Sequence, residues 1–519
     1  MVRTPWLVSL WLCALILYAV LGAANLHFGD LNQDEGWYLY AARQVHDGAV
    51  PYRDFAFTQG PMLPLVYSMA QPLVDRWGVA GGRLFSLLVG FLGALAAAAL
   101  AARVAPGGRK GLAALLTFIL IAGNVYQSYF TTLVKTYSLC AFFLAAGLLA
   151  LSGARGRGGW LTCFLGGILL ALAAGTRVSA GIAMPLAGLY LLFQRRRYGD
   201  SRWLCFGVGG ALGLAALAVP FLLIAREGFL FGMFEYHTHR MAGGLLSGLV
   251  YKAGFISRFV QAYFLPVCLA AAVLLLGWTK SREREQGEPF NVLLWLVVAG
   301  VTLVHFAAPF PYEDYQVLVF PVFAAALAVS LVSSFKFQVS DRWTLWLLVF
   351  VFAASVASAF SSPVNQNWMI SGRDRIWWKV KDQTQLQKLR EVGSWISEQM
   401  GMDDLLLTQD TYLAVEANLC VPEGMEMGPF SYFPDMDRAR AETLHVLNRE
   451  LLLELLQKTD APMAALSGYS LSIQSPGVSE IPEEQRLEIW KALETRYEEI
   501  YQVPEFGQAF TTLRIFRLR

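Results

Sequence analysis

Residues 6–25 read WLVSLWLCALILYAVLGAAN, an unbroken apolar run, and the polar stretch NQDEGWY follows at 32–38. A helix needs about 20 apolar residues to cross the roughly 30 Å hydrocarbon core of a bilayer, so this run predicts a membrane-spanning helix. The run is longer than the apolar region of about 7–15 residues in a signal peptide, which favours an uncleaved anchor. The fold is therefore decided by apolar runs of this kind.

Comparable runs recur through the first 361 residues. Only 15% of the 519 residues are charged, against about 25% in ordinary soluble proteins. The net charge of +2 and the absence of a glycine-rich phosphate loop argue against nucleic acid as a partner and against ATP-driven work. The sequence predicts a polytopic α-helical membrane protein with about eleven spans, near 6–25, 83–104, 111–127, 136–152, 160–176, 178–193, 203–225, 259–278, 291–308, 317–334 and 343–361.

The short basic loops between these spans all fall on one side. The positive-inside rule places that side in the cytoplasm, and with it the N-terminus. We therefore expect a plasma (inner) membrane protein with a transmembrane domain at 1–361, an external loop one at 26–82, and an extracytoplasmic domain at 362–519. The basic residues that set this orientation are Arg109, Lys110, Arg155, Arg157, Arg195, Arg196, Arg197, Lys280, Arg282 and Arg284.

Residues 362–519 have a different pattern from the membrane half. Amphipathic helical stretches at 384–400, 440–458 and 483–499 alternate with short apolar runs. Such alternation is typical of a small α/β domain. A segment of about 150 residues is long enough to bury its own core.

Asp34 and Glu35, directly after the first span, are the sharpest local feature. One interpretation is structural, because Asn32 could cap a helix and Glu35 would then complete a capping box. The other is catalytic: a carboxylate near the membrane surface can deprotonate an acceptor hydroxyl that attacks a sugar carbon. The capping interpretation accounts for Glu35 and leaves Asp34 free to point elsewhere.

Loop one also carries a family resemblance. The stretches DEGWYLYAAR (34–43), DGAVPYRDF (47–55) and QGP (59–61) resemble the first external loop of GT-C fold glycosyltransferases, in particular glycosyltransferase family 39 (protein O-mannosyltransferase-like) and the bacterial lipid A aminoarabinose transferases. The resemblance implies a GT-C-like membrane domain and a polyprenyl-phosphate sugar donor. It implies Asp34 as catalytic base with Glu35 as companion, and its residues Tyr38, Arg53 and Asp54 are candidate substrate contacts.

Two basic residues are candidates for holding the donor phosphate. Lys135 precedes the fourth predicted span and Arg177 lies between the fifth and sixth. A charge at the membrane boundary either has a partner or function or extends towards water, and both readings stay open. Glu313 and Tyr315, in a segment that resembles a late loop of the same enzymes, are further substrate-binding candidates.

His237 and His239, near Glu235, are the candidates for a divalent metal, the cofactor class that some GT-C enzymes use. Residues two apart point the same way only on an extended strand. The alternative is a polar loop over the mouth of the site. No other cofactor is expected.

These features favour a hexosyl or pentosyl transferase that moves a sugar from a polyprenyl-phosphate donor, within membrane lipid, to a hydroxyl of a glycan, lipid or protein. A transporter or flippase of lipid-linked glycans is one alternative, although it would need ionisable or helix-breaking positions in mid-membrane. A non-catalytic membrane assembly protein is another, and it should tolerate Asn in place of Asp34.

Overall fold

The apolar runs of the sequence fold as helices. The structure, a computed structural model, describes residues 5–156, 158–198, 200–238, 245–279, 289–334, 342–361, 383–401, 403–468 and 481–519. The helices of the membrane half are α1 (Pro5–Phe28), α2 (Gln33–His46), α3 (Met62–Tyr67), α4 (Gln71–Trp77), α5 (Val79–Val104), α6 (Lys110–Ala122), α7 (Val125–Thr132), α8 (Thr136–Leu151), α9 (Gly159–Thr176), α10 (Ala183–Phe193), α11 (Arg195–Tyr198), α12 (Asp200–Ile224), α13 (Arg226–Leu230), α14 (Tyr236–Thr238), α15 (Leu245–Ala262), α16 (Phe264–Thr279), α17 (Pro289–Ala307), α18 (Phe320–Ser334) and α19 (Arg342–Ser361).

Among the described residues, five helices are long and apolar enough to cross a membrane, or up to seven if each of two bent helix pairs counts as one span. Four shorter apolar helices accompany them. Each predicted span falls on one of these helices or pairs. The predicted class of polytopic helical membrane protein is confirmed, whereas the number of helices that cross the bilayer stays a prediction.

The two bent pairs correct the sequence interpretation in detail. Helices α6 and α7 meet at 73° around Gly123 and Asn124, where a single span was predicted. Asn124 caps α7 by accepting a hydrogen bond from the Gln127 amide at 2.8 Å. Helices α15 and α16 meet at 93°, so α15 precedes the predicted span near 259–278 as a separate helix.

The C-terminal segment contains the predicted small α/β domain. Its four-stranded sheet has the order β1-β2-β4-β3, with β1 parallel to β2 and the other pairs antiparallel. Strand β2 lies between β1 and β4, and all its side chains are buried. The elements are α20 (Gln385–Gln399), β1 (Leu406–Leu407), α21 (Thr411–Glu416), α22 (Arg438–Thr443), α23 (Arg449–Lys458), β2 (Met463–Leu466), α24 (Glu483–Arg496), β3 (Tyr497–Phe506) and β4 (Thr511–Leu518).

The C-terminal domain packs directly on helix α2 of loop one. Gly36 allows this approach, because a Cβ atom there would lie 2.2 Å from the backbone nitrogen of Tyr412. Polar contacts fix the same seam: Tyr40 accepts a hydrogen bond from the Val421 amide at 3.0 Å, and Arg43 donates to the Leu419 carbonyl at 2.5 Å. Loop one is thus held between the membrane helices and the C-terminal domain.

Candidate active site

A cavity of about 360 Å³ lies where loop one, the ends of several apolar helices and the C-terminal domain meet. Its wall combines charged, aromatic and amide side chains, the composition typical of a small-molecule site. The predicted site residues that line it are Asp34, Tyr38, Lys135, Arg177, Tyr315 and His237. The structure therefore brings together residues from five separate parts of the sequence.

Local sequence explains how Asp34 is presented. Asn32 has extended backbone angles and caps α2, and its own amide donates to Glu35 Oε2 at 3.0 Å, which completes the predicted capping box. Asp34 follows in the first turn, where a negative charge suits the positive end of the helix dipole. Trp37 Nε1 donates to Asp34 Oδ1 at 3.3 Å. The first turn of α2 thus holds Asp34 towards the cavity.

Glu35 occupies different surroundings. Its carboxylate forms a bidentate pair with Arg83, at 2.7 Å from Nε and 2.6 Å from Nη2, and both side chains are fully buried. Arg83 Nη1 donates to the carbonyl of Gly29, and Nη2 donates to the carbonyl of Asp30 as well as to Glu35. Glu35 does not line the cavity. The predicted companion of the base therefore lies behind it and contributes to the structure of loop one.

Lys135 is shared between two carboxylates. Its Nζ lies 3.2 Å from Asp34 Oδ2 and 3.2 Å from Asp314 Oδ2, and Tyr137 donates to the same Asp314 oxygen at 2.8 Å. The Lys135 side chain is 7% exposed and that of Asp34 is 28% exposed. Asp314 lies beside the predicted Glu313, and the sequence offered no way to choose between them. Lys135 thus links Asp34, the predicted base, to a second acid, and the role of Lys135 as a phosphate ligand stays a prediction.

Arg177 has a different set of partners. It donates to Thr136 Oγ1 at 3.1 Å, and its guanidinium stacks over the rings of Tyr137 and Tyr315 at 5.1 and 4.3 Å. Within the described part of the chain no carboxylate forms a salt bridge with it. Aromatic faces stabilise a cation without neutralising it. Arg177 therefore presents a positive charge at the cavity wall that is held by aromatic rings and a hydroxyl group.

Three other predicted residues lie away from the cavity. Glu313 pairs with Arg258 at 2.8 Å, and burial raises the pKa of Glu313 against the opposing effect of Arg258. Arg53 and Asp54 form an exposed ion pair with each other at 2.8 Å. The hydrogen bond from Arg53 lowers the pKa of Asp54. The structure therefore does not place Glu313, Arg53 or Asp54, which were predicted to bind substrate, in the cavity with Asp34.

A hydrogen-bonded histidine also lines the cavity, and sequence reasoning missed it. Gln316 Nε2 donates to His305 Nδ1 at 3.0 Å, so His305 carries its proton on Nε2 and donates to Ser179 Oγ at 2.8 Å. His305 and Ser179 both line the cavity. An isolated histidine near the end of an apolar helix gives little signal, because its partners lie on other elements.

The metal candidates are only partly described. His237 lines the cavity, and its Nε2 lies 3.0 Å from the Thr58 carbonyl, to which it donates. His239 lies outside the described residues. Within the described ranges no group of three or more His, Cys, Asp or Glu side chains could hold a metal ion. A metal at His237 and His239 stays a prediction.

Comparisons with known proteins identify the fold. No protein-family model matches the sequence, and no curated protein matches it either. The crystal structure of ArnT from Cupriavidus metallidurans bound to undecaprenyl phosphate is similar with a TM-score of 0.62 and 15% identity, over 99% of this chain and 98% of that one. The chain has the GT-C fold. The same ArnT in the apo state gives 0.60 and 14% over the same shares.

The GT-C fold confirms the expectation drawn from loop one. The oligosaccharyltransferase AglB from Archaeoglobus fulgidus is similar to a lesser degree, with a TM-score of 0.49 and 12% identity over 88% of this chain and 69% of that one. Identities this low show a common GT-C architecture and nothing finer. The roles of individual residues in this chain depend on its own geometry.

Proposed function

We propose that the protein is a membrane glycosyltransferase that moves a hexosyl or pentosyl group from a polyprenyl-phosphate donor to an acceptor hydroxyl on the extracytoplasmic side of the plasma (inner) membrane. The observation that carries the proposal is that a partly open carboxylate, Asp34, and a cation without a salt bridge among the described residues, Arg177, lie on the wall of one cavity. The GT-C fold supports it. A similar protein, ArnT, was solved with undecaprenyl phosphate bound, which supports a lipid phosphate as the donor's leaving group.

Asp34 is the base of the proposed reaction. Its carboxylate takes the proton of the acceptor hydroxyl while that oxygen forms a bond to the anomeric carbon of the donor sugar. The bond between this carbon and the phosphate oxygen breaks, and the lipid phosphate leaves with the electron pair. A single displacement of this kind inverts the configuration of the sugar.

Arg177 is the group that faces the departing phosphate. Negative charge grows on the phosphate as the bond breaks, and a preorganised cation in a water-poor site stabilises that charge more than water does. A guanidinium can also donate two parallel hydrogen bonds to a phosphate. The tyrosine rings on either side keep Arg177 in place without neutralising it.

Lys135 and Asp314 orient the base. Lys135 holds one oxygen of Asp34 at 3.2 Å, and Asp314 competes for the same ammonium group at the same distance. Sharing weakens the hold of Lys135 on either carboxylate, because a single positive charge is divided between two negative charges. Asp34 is therefore fixed in direction and still able to accept a proton.

The first experiment is a transfer assay with the purified protein in lipid nanodiscs. A panel of polyprenyl-phosphate sugars is supplied with glycan, lipid and peptide acceptors, and Asp34→Asn is compared with Asp54→Asn, a loop-one carboxylate away from the cavity. We expect one donor to be consumed, with a loss of about 10²–10⁴-fold in Asp34→Asn and none in Asp54→Asn.

Other outcomes lead to definite conclusions. If the wild type consumes no donor but moves intact donor across the bilayer, the protein is a flippase. If it does neither, the proposed function fails. Turnover by Asp34→Asn at the wild-type rate would leave Asp34 as a helix residue only. Arg177→Ala, compared with Arg53→Ala, should weaken turnover of the same donor.

A further inference from the structure

The start of helix α2 has a complete set of partners for its backbone amides. The first N–H groups of a helix have no acceptor within the helix itself. Asn32 Oδ1 accepts from the Asp34 amide at 3.1 Å, and Glu35 Oε2 accepts from the Asn32 amide at 3.0 Å. The Gln33 amide donates to Gln508 Oε1 at 2.6 Å. This last acceptor comes from the C-terminal domain, 475 residues further along the chain.

The hairpin between β3 and β4 holds Gln508 in place. Gly507 has a left-handed backbone with φ +71°, and its amide donates to Gln385 Oε1 at 3.2 Å. A Cβ atom at Gly507 would lie 2.4 Å from the hydroxyl oxygen of Tyr412, so the turn is packed tightly against α21. Phe506 anchors the preceding strand and is fully buried. Gln508 is therefore presented by a well-packed turn rather than by a loose loop.

Gln508 also lies close to Asp34, the proposed base. It lines the same cavity as Asp34, and both Gln33 and Gln508 are buried. Gln33 precedes Asp34 directly, and the bond to Gln508 fixes the Asn32–Gln33 peptide, one residue before the Cα atom that carries the Asp34 side chain. A displacement of about 1 Å at a catalytic group can cost about 10²-fold in rate.

We propose that Gln508 is a positioning residue for the base: it caps helix α2 from the C-terminal domain and fixes the direction of Asp34. This inference rests on the proposed function. It makes the C-terminal domain part of the active centre, because without that domain the first turn of α2 lacks one of its acceptors. Gln508 acts through the backbone of Gln33, and it takes no part in proton transfer.

The test compares Gln508→Ala with Gln502→Ala, a matched control on the same hairpin whose side chain is exposed. Turnover is measured together with hydrogen exchange of the α2 amides in the full-length protein in nanodiscs. We expect kcat of Gln508→Ala to fall about 10–100-fold, with the donor KM nearly unchanged and faster exchange confined to the start of α2. Gln508→Glu keeps an acceptor oxygen and should restore slow exchange.

The two measurements separate the possible outcomes. Equal turnover in Gln508→Ala and Gln502→Ala would overturn the proposal, and so would lost turnover without faster α2 exchange. If Gln508→Ala does not fold, Gln508→Glu decides: a folded variant with fast α2 exchange contradicts the cap, and slow exchange supports it. If the wild type transfers no sugar, the proposed function fails, while the exchange measurement still tests the cap.

Discussion

Asp34 and Glu35 are adjacent carboxylates in the first turn of one helix, yet their surroundings differ completely. Successive residues of a helix point about 100° apart, so Asp34 faces the cavity and Glu35 faces Arg83 near the start of α5. Asp34 is 28% exposed and shares Lys135 with a second acid, whereas Glu35 is fully buried and holds Arg83 through two hydrogen bonds. A carboxylate that is partly exposed and shares its cation, like Asp34, is still able to react. A carboxylate that is buried and held by its own arginine, like Glu35, contributes to the stability of the fold.

The largest effect is expected for the buried pair of Glu35 and Arg83. Arg83→Met leaves Glu35 as a buried charge without its cation, and we expect a loss of about 3–5 kcal/mol in the free energy of unfolding. Thermal unfolding in nanodiscs measures it, with Arg103→Met, an exposed arginine on the same helix α5, as control. The double variant Glu35→Leu with Arg83→Met should recover most of the loss. Unchanged stability in Arg83→Met would show that the pair is not structural.

Glu426 provides a contrast with Glu35, because it is a buried carboxylate without a salt bridge among the described residues. Burial raises the pKa of Glu426 to about 8. A carboxyl group whose pKa is higher in the folded protein stabilises the fold at low pH, and this stability is lost as the pH rises towards that value. We expect the wild type to lose about 2–3 kcal/mol between pH 5 and pH 7 relative to Glu426→Gln.

The measurement is the melting temperature of both proteins across that pH range. Glu423→Gln serves as control, because its carboxylate is 84% exposed in the same loop. Parallel pH profiles for the wild type and Glu426→Gln would contradict the raised pKa.

A smaller effect is expected at the second acid of the shared pair. Asp314→Asn removes one of the two carboxylates that pair with Lys135, so the ammonium group should bind Asp34 more tightly. We expect kcat to fall about tenfold, equivalent to about 1.4 kcal/mol, with stability little changed. Glu313→Gln, at the neighbouring carboxylate away from the cavity, is the control. A larger loss in Glu313→Gln than in Asp314→Asn would reverse the assignment.

The smallest effect is expected at the exposed pair of loop one. Asp54→Asn removes a surface ion pair, and such pairs contribute little because water and salt screen them. We expect turnover within about twofold of the wild type and an unchanged melting temperature. A clear loss of donor turnover would restore Asp54 as a substrate contact, as the resemblance in loop one implied.

Much of the architecture could be predicted because the relevant physics is local. Apolar length located the helices, and the capping pattern from Asn32 to Glu35 located the start of α2. The bends at Gly123–Asn124 and near Tyr263 were not predicted, since an apolar run reads the same whether it is straight or bent. The site was predicted in part: Asp34, Lys135 and Arg177 share a cavity, but Glu313, Arg53 and Asp54 do not.

Local patterns were enough to predict a helical membrane protein with an acidic loop after its first span and an α/β domain at its end. These features follow from apolar length, helix capping and the alternation of helical with short apolar segments, all of which depend on neighbouring residues. Which carboxylate meets the cavity depends on the tertiary structure, because Arg83, Asp314 and Gln508 lie 48 to 475 residues from the groups they bind. Contacts at such separations depend on how the helices pack, and a local sequence pattern does not predict that packing.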